Sequence, residues 1–128
     1  MRFIDARIHG VLDIVVVFIF LLAPLVFGLG GSPAAISYIL AAVHLVLTLL
    51  TDFPMGIRKT IPFFVHGIVE LIVGVFLVVL PTIEGYGPGS PARRFYTIIG
   101  ATILVIWALT AYTRRDSPPD EAAPQRRA

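Results

Sequence analysis

Four long apolar stretches, at residues 8–29, 34–50, 61–83 and 95–112, constrain the fold of this chain more than any other feature. About 20 apolar residues in a helix cross a hydrocarbon core about 30 Å thick. Inside lipid the backbone must satisfy its own hydrogen bonds, so each stretch is predicted to be a transmembrane helix. The chain has 128 residues, of which 57% are hydrophobic and 14% charged. A soluble domain this small could not bury so much apolar surface. We therefore expect an all-α integral membrane protein.

Short connections rich in glycine and proline separate the four stretches, which is typical of turns. The Ser-Pro pairs at 32–33 and 90–91 predict helix starts, with serine as the N-cap and proline at the first helical position. Pro24 and Pro81 lie about one turn before the ends of their spans and are predicted to kink or end those helices. Tyrosines near the span ends, Tyr96 and Tyr112 among them, are expected to anchor the helices at the membrane surface.

Most basic residues fall at one end of the predicted bundle. With four spans, the same side holds Arg2, Arg7, Arg58, Lys59, Arg114, Arg115, Arg126 and Arg127. The other side holds only Arg93 and Arg94. The positive-inside rule therefore predicts that both termini are cytoplasmic. We expect a single membrane domain at 1–113 and a disordered cytoplasmic tail at 114–128, because the tail has no apolar pattern.

The chain also repeats itself. His9-Gly10-x-x-Asp13 matches His66-Gly67-x-x-Glu70, and Pro24 matches Pro81 in the same register. The repeats cover about 8–51 and 61–112, and each contains two spans. Because both copies enter the membrane from the same side, we predict a four-helix bundle of two parallel helical hairpins, related by a two-fold axis along the membrane normal.

These residues resemble the bacterial SPW-repeat membrane proteins, which have four spans in two hairpins, and in particular the variety that opens each hairpin with His-Gly-x-x-acid. The resemblance covers nearly all of the chain except the tail, and it is carried by His9-Gly10-x-x-Asp13, Pro24 with Phe27-Gly28, Thr51-Asp52, Pro62 and His66-Gly67-x-x-Glu70. The Ser-Pro-Trp of that family is Ala23-Pro24-Leu25 and Leu80-Pro81-Thr82 here, so only the prolines are kept. The resemblance implies a bacterial inner membrane location and no settled biochemical activity.

Ionisable side chains inside the predicted spans are the candidate functional groups. They are His9, Asp13, His66 and Glu70. Each histidine and the acid four residues later share a helix face, and the repeat would bring both pairs to one depth near the cytoplasmic ends of spans one and three. His44, in the middle of span two, is a secondary candidate whose counterpart in the repeat is Thr102. We expect His44 to hydrogen-bond a neighbouring helix.

Several interpretations of this cluster remain open. We favour a structural polar clamp that locks spans one and three together, with Gly10 and Gly67 allowing close helix approach. The same residues suit a divalent metal ion, since helix bundles build such sites from facing helices. They also suit a proton or ion relay, and two histidines on facing helices could ligate haem.

The sequence assigns no catalytic residue, no metal ligand and no cofactor, and the expected protein is not an enzyme. The absence of cysteine excludes disulfides, thiolate metal sites and cysteine nucleophiles. The net charge is only +2, and scattered basic residues argue against nucleic acid as a partner. We expect a small polytopic protein of structural or accessory function in the lipid bilayer, within a homo-oligomer or larger membrane complex. The alternatives are a small proton or metal-ion channel or transporter, and a metal- or haem-binding redox subunit.

Overall fold

The computed structural model describes residues 3–112 of the chain. The predicted tail at 114–128 and the arginines within it, like Arg2, lie outside these described residues. The elements in chain order are α1 (Ala6–Phe27), α2 (Gly31–Leu50), β1 (Thr51–Asp52), β2 (Ile61–Pro62), α3 (Phe63–Ile83) and α4 (Pro91–Leu109).

Helices make up 75% of the structure, and all four are long and apolar enough to cross a membrane. The predicted helical class is thus confirmed, and four helices that could span a membrane indicate a membrane protein. The two strands were not predicted, but with two residues each they do not change the class.

Capping residues set most of the helix boundaries. The Asp5 carboxylate accepts from two backbone N–H groups at the start of α1, and the Ser90 hydroxyl accepts from Arg93 N, as predicted for α4. The predicted Ser32 cap is wrong. Gly30 is the N-cap of α2 and Gly31 adopts a φ of 59°, so the chain turns into the helix two residues earlier than expected.

Pro24 and Pro81 lie inside α1 and α3 rather than at their ends. Each helix continues through its proline and ends within one turn. At the end of α1, Gly28 takes a left-handed φ of 63° and its N–H donates to Pro24 O. Pro24 has no N–H to donate to Phe20 O four residues earlier, and that carbonyl accepts instead from the Ser37 hydroxyl at 2.6 Å.

The helices pack most closely within two hairpins, α1 with α2 and α3 with α4. Short parallel pairings tie the hairpins together at one end. Thr51 in β1 pairs with Ile61 in β2, and Ile4 forms a matching bridge with Thr110. The segment before α1 therefore lies beside the end of α4, and the segment before α3 lies beside the end of α2.

The bundle interior is apolar over most of its length and polar at the end where these pairings lie. Phe20, Leu77 and Tyr96 are at most 1% exposed and belong to the apolar part. Tyr96 is therefore not the surface anchor predicted from sequence. Its hydroxyl donates to Pro33 O across the hairpins at 2.6 Å, because a buried hydroxyl needs a partner.

Arg93, one of the two arginines on the less basic side, forms hydrogen bonds at the end of the bundle opposite the strand pairings. Its guanidinium donates to Tyr86 O at 2.7 Å and to Pro81 O at 3.3 Å. These carbonyls lie at or just beyond the C-terminal end of α3, where helix carbonyls lack intrahelical partners. Its position is thus explained by capping, and Arg94 is the exposed cation of this pair.

Candidate functional site: a buried histidine–carboxylate cluster

The structure brings the four candidate residues together in the polar end of the interior. His9 and His66 are fully buried, and Asp13 and Glu70 are 2% and 4% exposed. Each histidine is the fourth residue of its helix, α1 or α3, and each acid is the eighth. The two helices therefore present equivalent pairs toward each other at one depth.

Each imidazole contacts the acid of its own helix and the acid of the other hairpin. The His9 Nε2 atom lies 3.3 Å from Asp13 Oδ1 and 3.2 Å from Glu70 Oε2. The His66 Nε2 atom lies 3.4 Å from Asp13 Oδ2 and 3.6 Å from Glu70 Oε1. The two Nε2 atoms are 3.4 Å apart. The cluster is thus one connected centre rather than two separate pairs.

Two threonines orient the imidazoles from behind. The Nδ1 atom of His9 lies 2.9 Å from Thr110 Oγ1, and Nδ1 of His66 lies 2.8 Å from Thr51 Oγ1. Each threonine closes the second helix of the other hairpin, so both contacts cross between hairpins. Each hydroxyl donates its single proton to the carbonyl four residues earlier, at 2.6 Å for Thr51 and 2.7 Å for Thr110.

The hydrogen bonds of the two threonines assign the tautomer of both histidines. Because each threonine proton is used on a carbonyl, the threonine oxygen can only accept from the ring, and Nδ1 carries the N–H. In the neutral imidazole, Nε2 then presents a lone pair to the centre. Two such nitrogens and two carboxylates face one another at 3.2–3.6 Å with no proton between them. Such a set of acceptors requires a positive charge, either as added protons or as a metal ion.

Tyr112 closes the cluster on the side of the chain ends. Its hydroxyl donates to Glu70 Oε2 at 2.6 Å, and the residue is only 8% exposed, so the predicted surface-anchoring role of Tyr112 is wrong. Burial, together with the neighbouring Glu70 carboxylate, raises the pKa of the Tyr112 phenol well above its usual range. The hydroxyl therefore remains a hydrogen-bond donor.

An aromatic layer separates the cluster from a pocket of about 740 Å³ at the same end of the bundle. The rings of Phe53, Phe63 and Tyr112 meet His9 edge-on, with centroid distances of 6.5, 5.3 and 5.5 Å. The same three residues line the pocket, whose other lining residues include Asp5 and Arg7. The buried centre is therefore one aromatic ring away from the pocket.

His44 reaches the cluster from α2. It is 8% exposed, and its Nε2 atom lies 3.6 Å from Asp13 Oδ1. Among residues 3–112 this nitrogen has no hydrogen-bond partner, and its interhelical contact is the one with Asp13 of α1. Asp13 also has Thr48 nearby, whose hydroxyl lies 3.5 Å from Oδ2 and donates to His44 O at 2.8 Å.

Sequence reasoning missed the outer residues of the centre, namely Thr48, Thr51, Thr110 and Tyr112. A signal existed for two of them, because Thr51 and Thr110 both follow the last turn of a helix, α2 and α4 respectively. Their tie to a histidine of the opposite hairpin could not be read from spacing within one hairpin.

No known protein family matches this chain, and no curated protein or solved structure matches it either. The resemblance to SPW-repeat proteins therefore stays a prediction, and the functional interpretation depends on the geometry of the centre.

The donor set fits a metal ion and does not fit haem. One ligand atom from each of the four residues lies within 4.8 Å of all the others. A tetrahedral ion with bonds of about 2.0–2.1 Å holds its ligand atoms about 3.3 Å apart. The two Nε2 atoms are 3.4 Å apart, and each lies 3.2–3.6 Å from a different oxygen of both carboxylates. Small rotations of the two acids would therefore complete the set. The Asp13 and Glu70 side chains lie 3.2–3.6 Å from the two Nε2 atoms, so they fill the space beside these nitrogens that a porphyrin ring would need.

Proposed function

We propose that this protein is an integral membrane protein that holds a divalent transition-metal ion between its two hairpins, with His9, Asp13, His66 and Glu70 as ligands. The observation that carries the proposal is the close approach of hydrogen-bond acceptors at the centre, with both Nε2 lone pairs facing the carboxylates. A cation is the partner that such acceptors lack.

The charges and the outer contacts support the same assignment. Two carboxylates balance a divalent ion, and the two imidazoles bind it as neutral ligands, so the loaded centre carries no net charge. A neutral centre suits a membrane interior, where an unbalanced charge is costly. Metal-bound histidines usually donate their second ring N–H to an oriented partner, which is the part that Thr51 and Thr110 fill here.

The ion would act as a clamp. Structural metal sites are closed by four protein ligands, whereas catalytic sites keep a position open. Here α1 and α3 each contribute two ligands, so the ion joins the two hairpins. This favours a structural or accessory protein over an enzyme, working in the lipid bilayer within a homo-oligomer or larger membrane complex.

The architecture that we propose is a pair of parallel hairpin repeats. Three equivalences support it: the histidines and acids occupy the same helical positions, Thr51 and Thr110 end the second helices, and Ile4 and Ile61 make matching pairings. Basic residues at the cluster end favour a bacterial inner membrane orientation with both termini in the cytoplasm.

A second candidate is a metal-free centre that holds protons, either as a fixed clamp or as a proton relay. The crossed contacts His9–Glu70 and His66–Asp13 favour it, because two protonated imidazoles would each donate Nε2–H to an acid of the other hairpin. In that form the centre would be a pair of ion pairs with no net charge.

Metal analysis of protein purified in mild detergent without chelator tests the first candidate. We expect about one ion per chain, its loss in a His9→Ala/His66→Ala variant, and a lower melting temperature after treatment with chelator. The matched control is Thr102→Val, which alters an exposed hydroxyl outside the centre. Metal-free protein that melts at the same temperature with and without added Zn²⁺, Co²⁺ or Fe²⁺ would refute the metal site.

A double-mutant cycle tests the second candidate on the metal-free protein. Asp13→Asn and Glu70→Gln should each lower the melting temperature, and their effects should be non-additive because both acids contact both histidines. Additive losses, or none, would remove the proton-loaded clamp.

A further inference from the structure

His44 is a buried polar side chain that the four-ligand centre leaves unused. The side chain is 91% buried, and Nε2 lies against the centre, 3.6 Å from Asp13 Oδ1. The His44 ring packs edge-on to His66, with centroids 6.3 Å apart. Within the described part of the chain Nε2 has no hydrogen-bond partner. A buried nitrogen without a partner is destabilising unless something else binds it.

The second hairpin has no equivalent of this group. Thr102 occupies the corresponding position of α4, is exposed, and donates its hydroxyl to Ile98 O. The internal repeat therefore explains the four symmetric ligands but not His44. The first hairpin thus places one more imidazole, that of His44, beside the four ligands, and the second hairpin does not.

We infer that His44 is a fifth ligand of the ion, and that the centre therefore takes an ion that accepts five or six donors, such as Fe²⁺, Mn²⁺, Co²⁺ or Ni²⁺, in preference to Zn²⁺. This inference rests on the proposed metal centre. With bonds of about 2.1 Å, neighbouring ligand atoms of a five-coordinate ion lie about 3.0–3.6 Å apart. The His44–Asp13 contact falls in this range. The ligand atoms that lie within 4.8 Å of one another come from the four inner residues and do not include His44, so the His44 ring would move toward the centre when the ion binds.

The chemistry of the donors agrees with that choice of ion. Three imidazoles and two carboxylates form a mixed nitrogen and oxygen set without soft sulfur ligands; imidazole suits zinc, copper, iron and nickel, and carboxylate suits manganese, so the number of donors makes the choice against zinc. Structural zinc is almost always four-coordinate, and the repeat alone would already satisfy it. Nothing in a four-coordinate site would require the imidazole of His44 at this edge.

Cobalt substitution provides the test. The protein is loaded with Co²⁺ in detergent, and the visible absorption and X-ray absorption spectra are recorded for the parent, for His44→Phe and for the control Thr102→Val. We expect weak d–d bands and five or more ligands in the parent and in the control. In His44→Phe we expect stronger, tetrahedral-type bands and one nitrogen ligand fewer. Competition between Co²⁺ and Zn²⁺ should move toward Zn²⁺, because the variant keeps only the four donors that structural zinc takes.

The outcomes separate this inference from the proposed function. Co²⁺ bound with the same spectrum and ligand number in the parent and His44→Phe, or a tetrahedral parent, would overturn the role of His44 and leave the four-ligand centre standing. A parent that binds no Co²⁺ would overturn both. If His44→Phe does not fold, His44→Ala with X-ray absorption gives the same distinction.

Discussion

The hydrogen bond from Tyr112 to Glu70 gives the sharpest prediction about the centre. Its oxygen–oxygen distance is 2.6 Å, and both residues are buried, at 8% and 4% exposure. A hydrogen bond to a charged group contributes about 1.5–3 kcal/mol. Replacing Tyr112 by phenylalanine removes the hydroxyl and keeps the ring that packs against His9. Because Glu70 would lose the donor that orients it, we expect metal affinity to fall about 10–100-fold.

The assay is competition for Co²⁺ or Zn²⁺ against a chelating dye in mild detergent, with Tyr86→Phe as the matched control. Tyr86 is also a tyrosine with a buried hydroxyl, but among the described residues that hydroxyl has no hydrogen-bond partner. Tyr86→Phe should therefore leave metal affinity unchanged and should not lower the melting temperature. Equal effects of the two substitutions on metal affinity and melting temperature would refute the reasoning, because the hydrogen bond to Glu70 would then contribute nothing to either.

The same substitution has a defined dependence on pH. The pKa of Tyr112 is raised in the folded protein by burial and by the Glu70 carboxylate. A raised folded-state pKa gives stability that is complete below the unfolded-state pKa, about 10 for tyrosine, and is lost as the pH rises above it. The melting-temperature difference between the parent and Tyr112→Phe should be constant from about pH 7 to pH 9 and shrink above about pH 10.

Three further predictions concern the surroundings of the centre. Thr51→Val and Thr110→Val should each weaken metal binding about 10–100-fold, measured by dye competition, because each removes the acceptor for a histidine Nδ1–H. Gly67→Ala should lower the free energy of unfolding by about 1–3 kcal/mol and weaken metal binding, because a Cβ there would lie 2.7–2.9 Å from the Tyr112 ring. Phe53→Ala should speed metal exchange in stopped-flow measurements and leave affinity nearly unchanged, because it opens the aromatic layer to the pocket.

Each of these predictions has a control in the same chain. Thr102→Val removes a threonine whose hydroxyl bonds its own helix and no histidine. Gly87→Ala adds a methyl group where no atom lies within 4 Å. Phe76→Ala removes an exposed phenylalanine of α3 that does not line the pocket. If a control changed metal binding, metal exchange or stability as much as its test variant does, the effect would come from general destabilisation.

The helical class and the four spans were predictable because lipid leaves the backbone few options. Helix starts depend on local chemistry, and one of the two predicted starts is correct. Ser90 caps α4 as expected, whereas α2 has Gly30 as its N-cap and begins at Gly31, before the predicted cap Ser32. The difference lies at Gly31, whose left-handed φ of 59° turns the chain into α2 before Ser32 is reached.

The inner residues of the candidate site could also be found from sequence. Ionisable groups inside apolar spans are rare, and the match between His9-Gly10-x-x-Asp13 and His66-Gly67-x-x-Glu70 singled out these four side chains. The outer residues could not be found in this way. Tyr112 has the composition signal of a surface anchor, and only the fold places its hydroxyl against Glu70, 42 positions away.

The crossed threonine contacts have a consequence for biogenesis. When the first hairpin emerges from the ribosome, His9 lacks Thr110, which orients it, and Asp13 lacks the His66 contact, since both partners are synthesised later. At the centre of an inserting helix an aspartate costs about 2.5–3.5 kcal/mol, and Asp13, the eighth of the 22 residues of α1, carries part of that cost. We expect the first hairpin to stay at the protein-lined exit of the insertion machinery until α3 and α4 have been made. The two hairpins would then be released into lipid as one unit.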